Sequence, residues 1–433
     1  MVCKKSPPHG RPMRRRRLFP LLAAAALSGP GGAWAGKGLT LWTMQLSPFH
    51  DDYVRALLAR FEARHPGVKV HWVDVPWAEM ERKTLAAAAA GTAPDVVNLN
   101  PQFAARLAEL GALRDPRGFL SAQRLSDYVP AAWEANRLGD GAYFGLPWYL
   151  STTVTVYHRG LLERAGTAVP LTPAQLLPAA QAIRRHTDAH AWFPALDGAA
   201  PLELCAALHG RLFGPDGCSL SRPDAGSVDM LAFMAEMHAR SLLPPSVLTE
   251  GHRGAVARFA AGQVAMIGTG MQFLDSIRRN QPALHAQLGV APQLSGAASD
   301  SPGAQPNIAA MNLVVPSASR HPELAFALAA YITEAQPQLE LVRRVPLLPS
   351  SRTALADPMF QRTGGDALLD AARALSHQQV LQGRVQVPAV RHYQKLRTSF
   401  VRGLHAAMAG RASAAQARQD IDRQWHALRA CTA

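Results

Sequence analysis

Residues 140–158 read DGAYFGLPWYLSTTVTVYH, and how they fold decides how the rest of the chain is organised. Asp140-Gly141 tolerates positive φ and favours a tight reversal. Tyr143-Phe144-Gly145-Leu146 is a short extended run that Pro147 is expected to stop. Residues 151–157 are almost wholly β-branched or aromatic, which suits a strand. Trp148 and Tyr149 stand between these two extended segments. Large aromatics with polar tips can wall a cleft or fill a core there, and the residues alone leave both open.

On the N-terminal side, residues 39–43 read as a short apolar strand. Val54, Leu57, Leu58 and Phe61 follow at i, i+3, i+4 and i+7, the spacing of a helix face. Val68, Val70 and Trp72 alternate with polar residues as a second strand. An Ala-rich helix over 77–90, a buried strand over 94–100 and a further helix to Leu110-Gly111 complete a β-α-β-α-β-α order. That order predicts an α/β fold with mostly parallel sheets flanked by helices. Ligands of such sheets lie beyond the carboxyl ends of the strands, here residues 43–45 and 98–100. On the C-terminal side, the spacing predicts a helix over 173–185 and a buried strand over 263–268. That strand opens on Thr269-Gly270-Met271-Gln272. Another strand is expected over 308–315, and closing helices over 396–408 and 414–429.

Residues 1–35 carry the marks of an export signal: Arg14 to Arg17, an apolar run over 18–27, and Ala33-Trp34-Ala35 as a small-residue cleavage site. Cleavage after Ala35 leaves 433 − 35 = 398 residues. No cysteine follows the apolar run, so no lipid anchor is expected. The segment holds seven Lys/Arg and no acid, so the net charge falls from +14 to 14 − 7 = +7. That excess is modest, and no basic run with interleaved aromatics follows, which argues against nucleic-acid binding. No second apolar segment is long enough to span a bilayer. A chain of this size should divide into two lobes. Cys205 and Cys218 flank a Gly-rich stretch in a compartment that permits disulfides and are expected to be bonded, leaving Cys431 as a free thiol. Spacings of the zinc-site kind are absent.

No catalytic motif stands in the chain: no G-x-S-x-G, no H-E-x-x-H, no Gly-rich phosphate loop, no C-x-x-C. Neither catalytic residues nor a metal or cofactor site is therefore expected. His50-Asp51-Asp52 opens a helix, where its carboxylates serve as cap and dipole partners. Glu79-Met80-Glu81 reads as a solvated helix face.

Several segments, in order, resemble one family. They are Leu41-Trp42, Phe61-x-x-x-His65-Pro66-Gly67-Val68-Lys69-Val70, and Ala89-Ala90-Gly91-Thr92-Ala93-Pro94-Asp95-Val96-Val97. Gly139-Asp140-Gly141-x-x-Phe144-Gly145-Leu146-Pro147 and Val156-Tyr157-His158-Arg159 follow. Phe259-x-x-Gly262-Gln263-Val264-Ala265-Met266 and Met311-Asn312-x-x-Val315-Pro316 close the series. Together they look like the extracellular solute-binding proteins of family 1, the maltose-binding-like receptors of ABC sugar importers. The chain departs from the family at Tyr157-His158-Arg159, where relatives carry Tyr-Asn-Lys.

The resemblance implies a periplasmic, monomeric receptor of two α/β lobes closing over a sugar or oligosaccharide and delivering it to membrane permease subunits. One lobe would hold 36–150 plus 308–350, the other 151–307 plus 351–433. Aromatic faces stack on sugar C–H faces while amides and carboxylates take the sugar's hydroxyls. The expected ligand-binding residues are Trp42, Gln45, Asn98, Asn100, Trp148, Tyr149, Trp192, Gly270, Gln272, Met311, Asn312 and Tyr393. Two alternatives stay open: a secreted carbohydrate-active enzyme such as a lyase or hydrolase, or the same fold holding a phosphodiester or polyamine.

Overall fold

The computed structural model describes residues 37–223, 227–296 and 305–428. The expected export signal, its cleavage site and Cys431 lie outside the described residues. Two sheets organise the chain. The first has the order β10-β4-β9-β3-β1-β2, built from β1 (Lys37–Met44), β2 (Val68–Val75), β3 (Val96–Leu99), β4 (Leu146–Thr152), β9 (Ile308–Val314) and β10 (Leu348–Pro349). The second has the order β6-β7-β5-β8, from β5 (Val154–His158), β6 (His190–Trp192), β7 (Val264–Thr269) and β8 (Leu288–Pro292).

Strand direction follows from where each strand comes from. β1, β2 and β3 are parallel because a helix returns the chain between them. β9 arrives from the second sheet, slots between β3 and β4, and runs against both. In the second sheet β6 is parallel to β7, while β5 enters from the first sheet and runs against β7 and β8.

Residues 140–158 make that passage between sheets. Only Thr153 separates β4 from β5. Pro147 does not stop the extended run as expected; it lies inside β4, where the pairing with β9 shifts between Pro147 and Tyr149. An irregular register tolerates a residue without an N–H. Pro147 still contributes its carbonyl, which accepts a 2.6 Å hydrogen bond from the buried Ser350 hydroxyl at the last crossing.

The first sheet is covered on both faces. α1 (Asp51–Arg64) turns Tyr53, Val54, Leu57, Leu58 and Phe61 onto one face, where they meet Leu39, Leu41, Trp148 and Phe326. Asp51 and Asp52 lie in its first turn, favourable against the helix dipole. The other face packs Met44, Val97 and Met311 under α2 (Trp77–Ala89) and α3 (Pro101–Glu109) through Met80 and Leu107. The second sheet has its own core, which continues beneath the crossing strands through Leu150, Ile308, Ala310 and Leu348. Among the described residues no helix is long and apolar enough to cross a membrane.

The expected Cys205–Cys218 bond does not form. Cys205 is a free thiol buried in the Ala200–His209 helix, its Sγ 3.6 Å from His209 Nδ1, and burial pushes its pKa up. Cys218 is itself disulfide-bonded, and not to Cys205. Its turn packs instead on the Ala414–Ala427 helix: Asp216 pairs with His426 at 3.2 Å and the Leu220 amide donates to Asp422 at 2.8 Å. Helix periodicity aims Cys205 inward, while the turn carries Cys218 to another helix.

Candidate ligand groove

A groove of about 410 Å³ lies between helices of the first sheet and the entry to a helix of the second core. α2 offers Glu81 and Leu85, one turn apart on the same side. α3 offers Gln102, Arg106 and Glu109, again at helical spacing. α3 is placed by its cap: the Asn100 side chain accepts from the Phe103 amide at 2.8 Å, and Pro101 occupies the first turn. Arg106 faces Glu81 at 3.9 Å, both partly exposed, a weak tie between the two helices.

The opposite wall is the turn from Val390 to Lys395 that opens the Tyr393–Met408 helix. His392 has a φ of +59°, a left-handed conformation uncommon for a residue with a side chain. Its backbone N–H donates to Glu109 Oε1 at 3.3 Å, so one carboxylate joins the two walls at the rim. Tyr393 is mostly buried, and its hydroxyl has no hydrogen-bond partner among the described residues. Burial pushes its pKa up, reinforced by the nearby charge of Glu203. Burial likewise raises the pKa of Glu203, opposed by a hydrogen bond from Asn307. A buried, unpartnered hydroxyl on a groove wall is a group that a polar ligand can satisfy.

A larger concavity of about 660 Å³ around Arg114, Asp115, Arg117 and Ser317 belongs to the first sheet's side alone. It is a charged surface hollow whose Asp115 already binds Arg117 at 2.6 Å and the Tyr143 amide at 3.1 Å.

The expected ligand residues fall into three groups. Tyr393 lines the groove, with Asn100 capping the helix that forms its floor. Trp42, Tyr149 and Met311 pack together on the α2–α3 face of the first sheet, with Tyr149 opposite Met311 across β4 and β9. The third group lies away from the groove. Trp148 is 2% exposed in the α1-side core, and Trp192 belongs to the core of the second sheet. Asn98 and Asn312 are fully buried beside Asn136: Asn98 Nδ2 donates to the Asn312 carbonyl at 3.2 Å, and Asn136 Nδ2 to Asn312 Oδ1 at 2.7 Å. Gln45, at φ +50°, lines a separate hollow beside Asp74. Gly270 precedes the Met271–Asn280 helix, where a Cβ would crowd Gln272 Oε1, and Gln272 is exposed.

The sequence reading missed Glu81, Gln102 and Arg106, and with them Trp77. Trp77 is 43% exposed at the start of α2, with its ring 6.4 Å from that of Phe103. A usable signal existed: Trp77, Glu81 and Leu85 follow at i, i+4 and i+8, an aromatic leading a stripe that a merely solvated face does not need.

Two sheets linked by crossing strands, with a polar-and-aromatic groove between their helices, define a binding protein of two lobes. The profile of the bacterial extracellular solute-binding proteins matches residues 48–339, and the chain belongs to that family. Its structure is similar to that of a periplasmic-binding protein of Synechococcus sp. MITs9220 assigned to oligosaccharides: 32% identity, 90% of this chain and 98% of that one covered, TM-score 0.79. The GacH receptor of Streptomyces glaucescens, solved unliganded and with acarbose, shares the fold at 23% identity and TM-score 0.73, covering 90% and 98%. An uncharacterized lipoprotein encoded in the oleD 5' region of Streptomyces antibioticus is 27% identical over 88% of each chain.

Proposed function

We propose that the chain captures a sugar or oligosaccharide outside the cytoplasm and presents it to the permease subunits of an ABC importer, without catalysis. The observation that carries this is the groove itself. It joins a buried phenol whose hydroxyl has no partner among the described residues with the amides of Gln102 and Gln394 and with apolar Leu85 and Val390. A pyranose has apolar C–H faces and a rim of hydroxyls and asks for that mixture. Both walls contribute, so a bound sugar gains contacts when they approach, and closure reports occupancy. The relative at 32% identity, assigned to oligosaccharides, supports the same ligand class.

The lobes follow the sheets. One comprises 36–150 with 308–350, the other 151–307 with 351–433, hinged where β4 passes into β5 and at Ser350-Ser351. Export with removal of residues 1–35 and a periplasmic, monomeric state complete the reading.

The deciding experiment is calorimetric titration of the exported protein with a panel of mono- to tetrasaccharides and alditols, followed by chromatography of the sugar recovered. A receptor at a ligand concentration of 100 Kd gains about 2.7 kcal/mol of stability and returns the sugar unchanged. Consumption of the sugar would favour the enzyme reading. Binding of a phosphodiester or polyamine alone would favour the other.

A further inference from the structure

We propose that Trp77 is an outer subsite for a saccharide ring, so that the groove takes a ligand longer than its own volume holds. The proposal rests on the sugar-binding reading above. Three observations carry it. Trp77 begins the stripe whose later members, Glu81 and Leu85, line the groove, so it extends the same wall by one turn. The residue stays 43% exposed, whereas the other large aromatics near this face, Phe103 and Trp42, are partly buried against the core below. Its neighbour is also specific: the Phe103 ring at 6.4 Å and 49° props the indole from the side and leaves its position set. Phe103 adjoins Gln102, whose side chain belongs to the groove.

An exposed indole held this way costs apolar exposure with no return inside the chain. It does offer a flat π-face beside a row of hydrogen-bonding groups. A pyranose ring presents axial C–H groups to such a face while its equatorial hydroxyls point to the solvent. Trp77 therefore acts on chain length rather than on the identity of the first sugar. A monosaccharide in the groove does not reach it; a longer ligand running along α2 towards its N-terminus does.

The test is calorimetric titration of the exported protein with glucose, maltose, maltotriose and maltotetraose, and with xylo- and galacto-oligosaccharides of the same lengths. Wild type, Trp77→Ala and Trp77→Phe are compared. Wild type should gain affinity on passing a given length. Trp77→Ala should lose that gain, roughly 3- to 10-fold for one aromatic contact, and keep its affinity for shorter ligands. Trp77→Phe should retain most of the gain. Iodide quenching supplies an independent readout: the fluorescence difference between wild type and Trp77→Phe should be shielded by long ligands and not by short ones. Equal gains in wild type and Trp77→Ala, or an equal loss at every length, would overturn the outer subsite while leaving sugar binding intact. Failure of wild type to bind any saccharide would overturn both readings together.

Discussion

Trp148 and Trp77 are the same residue in opposite employment. Trp148 lies in β4 between Leu39, Leu41 and Phe326 on the α1 side of the first sheet, 2% exposed. Trp77 stands at the first position of α2 with 43% of its surface in solvent. The sequence context of Trp148 is the more suggestive: a Trp-Tyr pair between two extended runs. Yet the pairing with β9 shifts at this point, and the two rings meet edge to face with centroids 5.1 Å apart, so what separates them is burial and not opposite faces of the sheet. Trp148 took the α1 face, and Tyr149 the boundary where all three cores meet. The helical context of Trp77 looked ordinary, because a polar stripe reads as solvated until a second wall stands across from it. An aromatic's role is set by what faces it.

The largest expected effect tests the core half of this contrast. Trp148→Ala should cost about 3–5 kcal/mol of folding stability, measured by denaturant titration, with sugar affinity of the folded protein unchanged. Trp77→Ala should leave the melt within about 0.5 kcal/mol of wild type. A destabilised Trp77→Ala or an unaffected Trp148→Ala would invert the assignment.

Acid should strike the frame before the groove. His158 on β5 donates from Nε2 to the Phe259 carbonyl at 2.8 Å, and burial lowers its pKa. His405 is lowered by burial too, and His190 is pushed down to about 4, chiefly by burial and then by Arg184. A histidine with a lowered folded pKa binds its proton more readily when unfolded. Its stabilising contribution is thus complete above the unfolded value of about 6.5 and is lost as pH falls from there towards 4. Urea midpoints should decline between pH 7 and pH 5, and His190→Gln should flatten the decline. A midpoint that holds steady over that window would contradict the burial argument.

Tyr393→Phe isolates the groove. Removing a hydroxyl with no partner should leave stability unchanged or slightly raised, while the sugar loses one hydrogen bond of about 0.5–1.5 kcal/mol, or roughly 2- to 10-fold in Kd. Full affinity in this variant, measured by calorimetry, would move the ligand away from Tyr393. The smallest signal concerns Cys205. The native thiol should resist alkylation entirely, react once the unreduced chain is unfolded, and do so without Cys218, which stays oxidised. Peptide mapping reads both sites.

Much of the architecture was legible in local order. The β-α-β-α-β-α run, the helix face of Val54, Leu57, Leu58 and Phe61, and the strand over 263–268 all follow from periodicity and from residue types whose preferences act over a few neighbours. Residues 151–157 read as one strand, and there the structure differs: Ser151 and Thr152 end β4 in the first sheet while Val154 to Tyr157 belong to β5 in the second. What failed did so for reasons that lie across the chain. Asn98 and Asn312 look like ligand amides at strand ends, but β9 brings them into the core with Asn136, where they bond one another while Asn98 Oδ1, Asn136 Oδ1 and Asn312 Nδ2 keep no partner among the described residues. Cys205 and Cys218 are near in sequence, yet one faces inward on a helix and the other rides a turn against the last helix.

The sequence by itself therefore determined the elements, their order, the family and the class of function, because these depend on short-range pattern. The tertiary structure alone decided which aromatics are core and which are free, and which polar groups remain unspent. Those depend on what stands opposite each side chain. The groove is made of α2, α3 and the turn at Val390 to Lys395, segments separated by some three hundred residues of chain, and no local pattern records that they meet.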